Sequence, residues 1–142
     1  MNNCIFCKIA NNEIEAKKVA ENKFAVAFLD AFPISAGHCL IVPKKHYDNL
    51  SECPKKILNK VSLLVGEVVN KLKMSNLDIK GFNYLSNEQK ISGQEIMHFH
   101  VHIIPKYSKK SGFNFTITKE KNLNKAIENK INNELQKLII NK

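Results

Sequence analysis

Hydrophobic residues along this chain keep two different periods, and the change from one to the other marks out its elements. Residues 24–29, Phe-Ala-Val-Ala-Phe-Leu, form a short apolar run closed by Asp30, which predicts a strand. A turn follows over 31–37, with Pro33 and Gly37 as breakers. Residues 38–42 predict a second strand, stopped by Pro43. Ile57, Leu58, Val61, Leu64, Val65, Val68 and Leu72 then recur at helical spacing and predict a helix over 54–73. Ser51 is placed to cap its entrance, and Pro54 suits a first turn. Residues 81–87 predict a third strand, 87–93 a polar loop, and 96–104 a fourth strand. From Thr118 the chain turns rich in Asn, Lys and Glu, yet Leu123, Ile127, Ile131, Leu135 and Leu138 still recur every three or four residues. That pattern predicts an amphipathic helix, expected to dock on the domain rather than meet a partner chain. Antiparallel strands with a helix between hairpin-like groups make an α+β fold.

Composition narrows the class. A chain of 142 residues is one domain by length, and 44% hydrophobic with 25% charged residues is ordinary for a globular protein. No long uncharged apolar run predicts a membrane span, and the first residues do not read as a secretory signal, so the expected location is cytoplasmic. A formal charge of +9 suits an anionic partner. The lysines are spread along the chain without a dense block, however, which argues against nucleic acid as that partner.

Four cysteines are present, and without a signal no disulfides are expected. Cys39 lies in an apolar run and reads as a small buried hydrophobe, and Cys53 as filler near a helix start. Cys4-x-x-Cys7 has a redox reading that wants a preceding strand, for which there is little room. Its metal reading wants two more ligands, and histidines are available.

The most informative segment is His98-Phe99-His100-Val101-His102. In a strand, alternate side chains share a face about 6–7 Å apart, so the three imidazoles line one face and Phe99, Val101 and Ile103 the other. Ser, Thr or Lys would solvate such a face equally well. Three histidines at this spacing therefore point to metal binding or histidine chemistry.

His-x-His-x-His followed by apolar residues resembles the histidine triad (HIT) superfamily. The resemblance extends to Phe28-Leu29-Asp30-x-x-Pro33-x-x-x-Gly37-His38, to the Ile41–His46 stretch, and to the order Asn87, Gly93-Gln94, His98. The Cys4–Ile9 start resembles the HINT-like bacterial branch. The match covers residues 4–112 and leaves 113–142 as a C-terminal helical extension of a 1–112 HIT domain.

The resemblance implies an antiparallel sheet of about five strands with one long helix and a C-terminal helix, paired two-fold as a homodimer. It implies hydrolysis of nucleoside 5′-phosphoramidates or related purine nucleoside monophosphate conjugates, through a nucleotidyl-histidine on His100. His102 and His38 would serve as further catalytic groups. Asp30 would hold the ribose, and Asn87, Gly93 and Gln94 the phosphate side, with Glu95 beside them and Phe28 against the base. Cys4, Cys7, His46 and His98 would hold a structural zinc, with no metal required for catalysis. A dinucleoside polyphosphate hydrolase and a non-catalytic zinc or nucleotide-binding module are the alternatives.

The residues make chemical sense of this scheme. A neutral imidazole with one free lone pair is a competent nucleophile at phosphorus, provided its other nitrogen donates to a fixed acceptor, such as a backbone carbonyl. One position departs from the pattern. Where the HINT-like pattern has a small hydroxyl residue after Gly93-Gln94, this chain has Glu95. A carboxylate there either repels the phosphate, in which case Glu95→Ser raises turnover, or points away, pairs with a lysine, or binds an amine leaving group.

Overall fold

The computed structural model describes residues 3–139. Five strands make one antiparallel sheet in the order β1-β2-β3-β5-β4. They are β1 (Lys18–Glu21), β2 (Ala25–Leu29), β3 (Cys39–Pro43), β4 (Gly81–Leu85) and β5 (Val101–Lys106). The helices are α1 (Ile5–Ala10), α2 (Lys55–Met74) and α3 (Lys125–Ile139). The α+β class agrees with the sequence reading, and the five strands agree with the number that the family resemblance implies.

Strand alternation sorts the core onto two faces. Ala25, Ala27, Cys39, Ile41, Phe99 and Ile103 meet Val61, Leu64, Val68 and Val69 of α2 on one face. The alanines are small enough to let the helix lie close. Leu64 is 1% exposed, and its truncation to Ala would cost about 2–5 kcal/mol. On the opposite face Val26, Phe28, Leu40 and Val42 are covered by Phe6, Ile9 and Ala10 of α1. Among the described residues no helix is long and apolar enough to cross a membrane.

Several expectations change. Sequence periodicity missed α1, which at six residues is too short to show a helical repeat. It also missed β1, a half-buried edge strand without clean alternation. Ser51 does not cap α2. It lies in a 3₁₀ turn and donates to Asn49 and Glu88, and Pro54 sits in the cap position with no side-chain bond. The β4 ladder stops at Leu85 rather than residue 87.

Strand β5 begins at Val101, so His98 and His100 precede it. The β3–β5 ladder runs over Cys39↔Ile103, Leu40↔His102 and Ile41↔Val101. Beyond it Pro43 has no N–H to give, and Phe99 N donates instead to the Tyr47 carbonyl at 2.6 Å. The tail helix is also corrected. No residue of α3 is buried, so it adds nothing to the core of the chain.

Candidate active site and an adjoining cysteine–histidine cluster

Side-chain alternation survives the loss of ladder pairing, so the three triad imidazoles lie on the α1 face of the sheet. His98 is fully buried, His100 is 7% exposed, and His38, just before β3, is 3% exposed. Leu40 pairs with His102, so His38, two residues earlier on the same face, lies beside it. Gly37 lets the turn before His38 pack closely on Leu72 and Pro105. Its φ is +84°, and a Cβ there would sit 3.1 Å from Leu72 and 3.3 Å from Pro105.

Hydrogen bonding assigns the proton on each ring. His100 Nδ1 lies 2.7 Å from the His98 carbonyl, which only accepts, so Nδ1 carries the hydrogen and Nε2 keeps a free lone pair. The Phe6 ring packs edge-on against His100, with centroids 5.2 Å apart, and holds it in place. Ser86 Oγ donates to the His100 carbonyl at 2.8 Å.

Ile34 N–H donates to His38 Nδ1 at 3.3 Å, which puts the His38 proton on Nε2. That nitrogen is 2.9 Å from His102 Nδ1 and 3.5 Å from Asp30 Oδ2. His102 therefore accepts at Nδ1 and carries its proton on Nε2. Asp30 Oδ1 in turn accepts from Phe32 N–H at 2.9 Å.

Burial holds these imidazoles neutral. Desolvation lowers the pKa of His38 and of His100, against opposing pulls from Asp30 and, for His100, from the His98 carbonyl and Glu95. His102 is pushed down to about 4 by desolvation and by the neighbouring His100 and His38. A neutral His100 with its lone pair on Nε2 is a nucleophile ready to attack phosphorus. A pocket lined by Leu29, Asp30, Pro33, Ile34 and His38 lies on the His38 side of the cluster.

The remaining expected ligands divide. Asn87 and Gly93 are together. Asn87 Nδ2 donates to the Gly93 carbonyl at 3.3 Å, and Gly93 has φ of +93°. Gln94 is corrected. It is 2% exposed, its Oε1 accepts from Gln89 N–H, and its Nε2 donates to the Asp48 and Ile96 carbonyls. Its side chain is fully engaged in bracing the loop and has no group left for a phosphate.

Phe28 is likewise core. It is 3% exposed and tilted against Phe6 at 5.7 Å. Glu95 is exposed.

A second cluster adjoins the first through His98. One ligand atom from each of Cys4, Cys7, His46 and His98 lies within 4.8 Å of all the others. His98 Nδ1 is 3.3 Å from Cys4 Sγ and 3.5 Å from Cys7 Sγ, and His46 Nδ1 is 3.3 Å from Cys7 Sγ. For a tetrahedral zinc with ordinary bond lengths, sulfur and nitrogen ligands stand about 3.6 Å apart, so the donor set fits.

The outer contacts fit as well. His98 Nε2 donates to the Pro43 carbonyl at 2.9 Å and His46 Nε2 to the Asp48 carboxylate at 2.8 Å. Both imidazoles thus turn an Nδ1 lone pair toward the thiols. Burial and the neighbouring Cys4 push the Cys7 thiol up to about 11. That is opposite to what a redox-active cysteine needs, although Cys4 does stand at a helix start. Asp48 and the Pro43 and His98 carbonyls were not singled out from the sequence. The His-x-Asp spacing of His46 and Asp48 was a usable signal, but backbone carbonyls leave none.

Comparison with known proteins agrees with this geometry. The chain matches the HIT domain family model over residues 11–109. It is 48% identical over 116 residues to an uncharacterized HIT-like protein of Mycoplasma genitalium, covering 82% of each chain. It is 39% identical over 109 residues to the adenosine 5′-monophosphoramidase of Saccharomyces cerevisiae, covering 77% of this chain and 66% of that one. A histidine triad nucleotide-binding protein from Candida albicans superposes with a TM-score of 0.85 at 32% identity, covering 96% of this chain and 97% of that one.

Proposed function

This chain belongs to the HIT family, and from that premise we propose that it hydrolyses nucleoside 5′-phosphoramidates or related nucleoside monophosphate conjugates at His100. The observation that carries the proposal is the hydrogen bond from His100 Nδ1 to the His98 carbonyl at 2.7 Å, which leaves Nε2 free to attack. The similarity to a yeast adenosine 5′-monophosphoramidase supports the substrate class and a purine base.

In the first step the His100 Nε2 lone pair forms a bond to the α-phosphorus, and the bond from phosphorus to the leaving nitrogen breaks. The hydrogen bond to the His98 carbonyl stabilises the positive charge that develops on the ring. A phosphate anion against the cluster raises the pKa of His102. Its protonated form then gives the Nε2 proton to the departing amine. In the second step water attacks phosphorus and the bond to Nε2 breaks. The nucleoside monophosphate leaves, and the water's proton returns to His102. Asp30, which lines the pocket, would accept from the ribose hydroxyls with the lone pairs left free by Phe32 N–H, and Asn87 and Gly93 would line the phosphate side.

Cys4, Cys7, His46 and His98 would hold a structural zinc that ties the N-terminus to the sheet. Bound there, the ion supplies cross-linking rather than chemistry, since its four positions are filled by protein. The assembly that fits is a two-fold pair joined at β4, an outer strand whose Tyr84 is 54% exposed.

The test is hydrolysis of adenosine 5′-phosphoramidate by the wild type and by His100→Gly, with a chelator present. The expected result is wild-type turnover that His100→Gly abolishes. Turnover that survives in His100→Gly would refute the nucleophile, and activity lost on chelation without loss of fold would favour a catalytic metal.

A further inference from the structure

Beyond β5 the chain carries two apolar patterns that its own fold leaves exposed. Phe113, Phe115 and Ile117 alternate with Asn114, Thr116 and Thr118, which is the period of a strand, and Phe, Thr and Ile are strand formers. The segment nevertheless belongs to no strand of the sheet, and Phe115 and Ile117 are 66% and 73% exposed. The Phe113 and Phe115 rings stack at 6.2 Å, so the alternation does put them on one side. In α3 the period becomes that of a helix, and Ile127, Ile131, Leu135 and Leu138 are between 40% and 76% exposed.

An arm of this kind does not hold its shape alone. An isolated helix of about 12–15 residues is marginal in water even when rich in alanine. The 15 residues of α3 include Ile127, Ile131 and Ile139 and Asn129, Asn132 and Asn133, all weaker helix formers. The Asn124 cap on Ile127 N–H, at 3.1 Å, offsets only part of that deficit. The arm is fixed all the same. Its root is tied to β5, where Lys106 Nζ donates to the Phe113 carbonyl at 3.1 Å and to Asn114 Oδ1 at 3.2 Å. The superposition on the Candida albicans protein covers 96% of this chain, a share that most of residues 113–139 must enter. One path is thus kept in two chains 32% identical, and keeping it takes contacts that the exposed arm does not find in its own chain.

Charge selects among the surfaces that could supply those contacts. A helix that lies on a membrane is rich in Lys and Arg on its polar side. In α3, Lys125, Lys130 and Lys137 are balanced against Glu128 and Glu134, with Asn and Gln between them. Such a helix turns its apolar stripe to protein, and the one protein that every such chain meets is another copy of itself. We propose that the apolar side of residues 113–139 docks on a second copy of this chain. The proposal extends the two-fold pair at β4 to the arm, and under two-fold symmetry each copy both gives and receives one. It does not depend on hydrolysis at His100.

The experiment is light scattering on the full-length protein over about 1–100 μM, with the wild type compared to Ile131→Glu/Leu135→Lys. Both positions are exposed within the chain, so the core is untouched. Glu followed by Lys four residues later also favours an isolated helix, so intrinsic helix loss cannot mimic lost docking. The wild type is expected to be a dimer, and the variant to raise the dissociation constant at least about tenfold. Hydrogen exchange gives a reading that needs no variant. The α3 amides are expected to be protected in the wild-type dimer and to lose protection on dilution.

A dissociation constant unchanged in the variant, or α3 amides that exchange freely in the dimer, would overturn the arm contact and leave the pairing at β4 standing. A wild type monomeric over the whole range would overturn both, and its sedimentation with phosphatidylglycerol vesicles would assign the arm to a membrane instead.

Discussion

Gln94 offers the sharpest test of the structural argument, because a phosphate ligand and a loop brace respond oppositely to the same change. Gln94→Met keeps the side-chain volume and removes the amide. The Gln89 N–H then loses its acceptor at 2.9 Å, the Ile96 carbonyl loses its donor at 3.2 Å, and the Asp48 carbonyl loses its donor as well. Each such bond contributes roughly 1 kcal/mol net, and more where water cannot replace the lost partner. Three of them come to about 3 kcal/mol, a large share of the roughly 5–15 kcal/mol that holds a domain folded. In melting temperature that is about 10–12 °C for a domain of this size.

The assay is urea unfolding of wild type and variant at one fixed zinc concentration, since any metal bound to the native state adds to its stability. The midpoint is expected to fall with an unchanged slope. A variant within about 0.5 kcal/mol of wild type, the usual range for a change that breaks nothing, but with kcat/KM on adenosine 5′-phosphoramidate reduced tenfold or more, would refute the bracing role. It would return Gln94 to the phosphate.

Cys4→Ser is expected to lower bound zinc from about one per chain, the stoichiometry of a closed four-ligand site, and elemental analysis of the purified proteins reads it directly. A well-folded wild type with no metal would contradict the cluster's role. Gly93→Ala places a Cβ 3.3 Å from Asn87 Nδ2 at φ of +93° and is expected to cost about 1–2 kcal/mol, measured by thermal melting. A neutral effect would mean that the loop is not held in the left-handed conformation.

The pH dependence follows from burial. His38 and His102 are held below the ordinary 6.5, His102 at about 4, so between those values the unfolded chain binds more protons than the folded one. Stability is full above pH 6.5 and declines as the pH falls toward 4. Melting temperatures at pH 7.5 and pH 5 for wild type and a His38→Gln/His102→Gln variant check this, and an equal decline in both would rule these imidazoles out as its source.

Much of this protein was legible because its information is local. The apolar runs of β2 and β3 and the helical spacing of α2 declare themselves over a few residues, since burial of one face imposes a short period on any sequence. The histidines at 98, 100 and 102 shared a face as the two-residue repeat requires, even though only His102 lies within β5. The sets Cys4, Cys7, His46, His98 and His38, His100, His102 came from the family resemblance rather than from spacing alone, and the fold brings the residues of each set together.

What the sequence left open depends on partners distant along the chain. His100 is oriented by the carbonyl of His98, His38 by the N–H of Ile34, and the paired imidazoles His46 and His98 by the Asp48 carboxylate and the Pro43 carbonyl. Every residue has the same carbonyl and all but proline the same N–H, so no sequence pattern marks which of them will orient a ring. Burial decided the rest. It turned Phe28 into core and Gln94 into a brace, left α3 without a buried residue, and set which side chains kept a free hydrogen-bonding group. Side-chain chemistry is a property of the residue, but whether that chemistry stays available depends on what the fold packs against it.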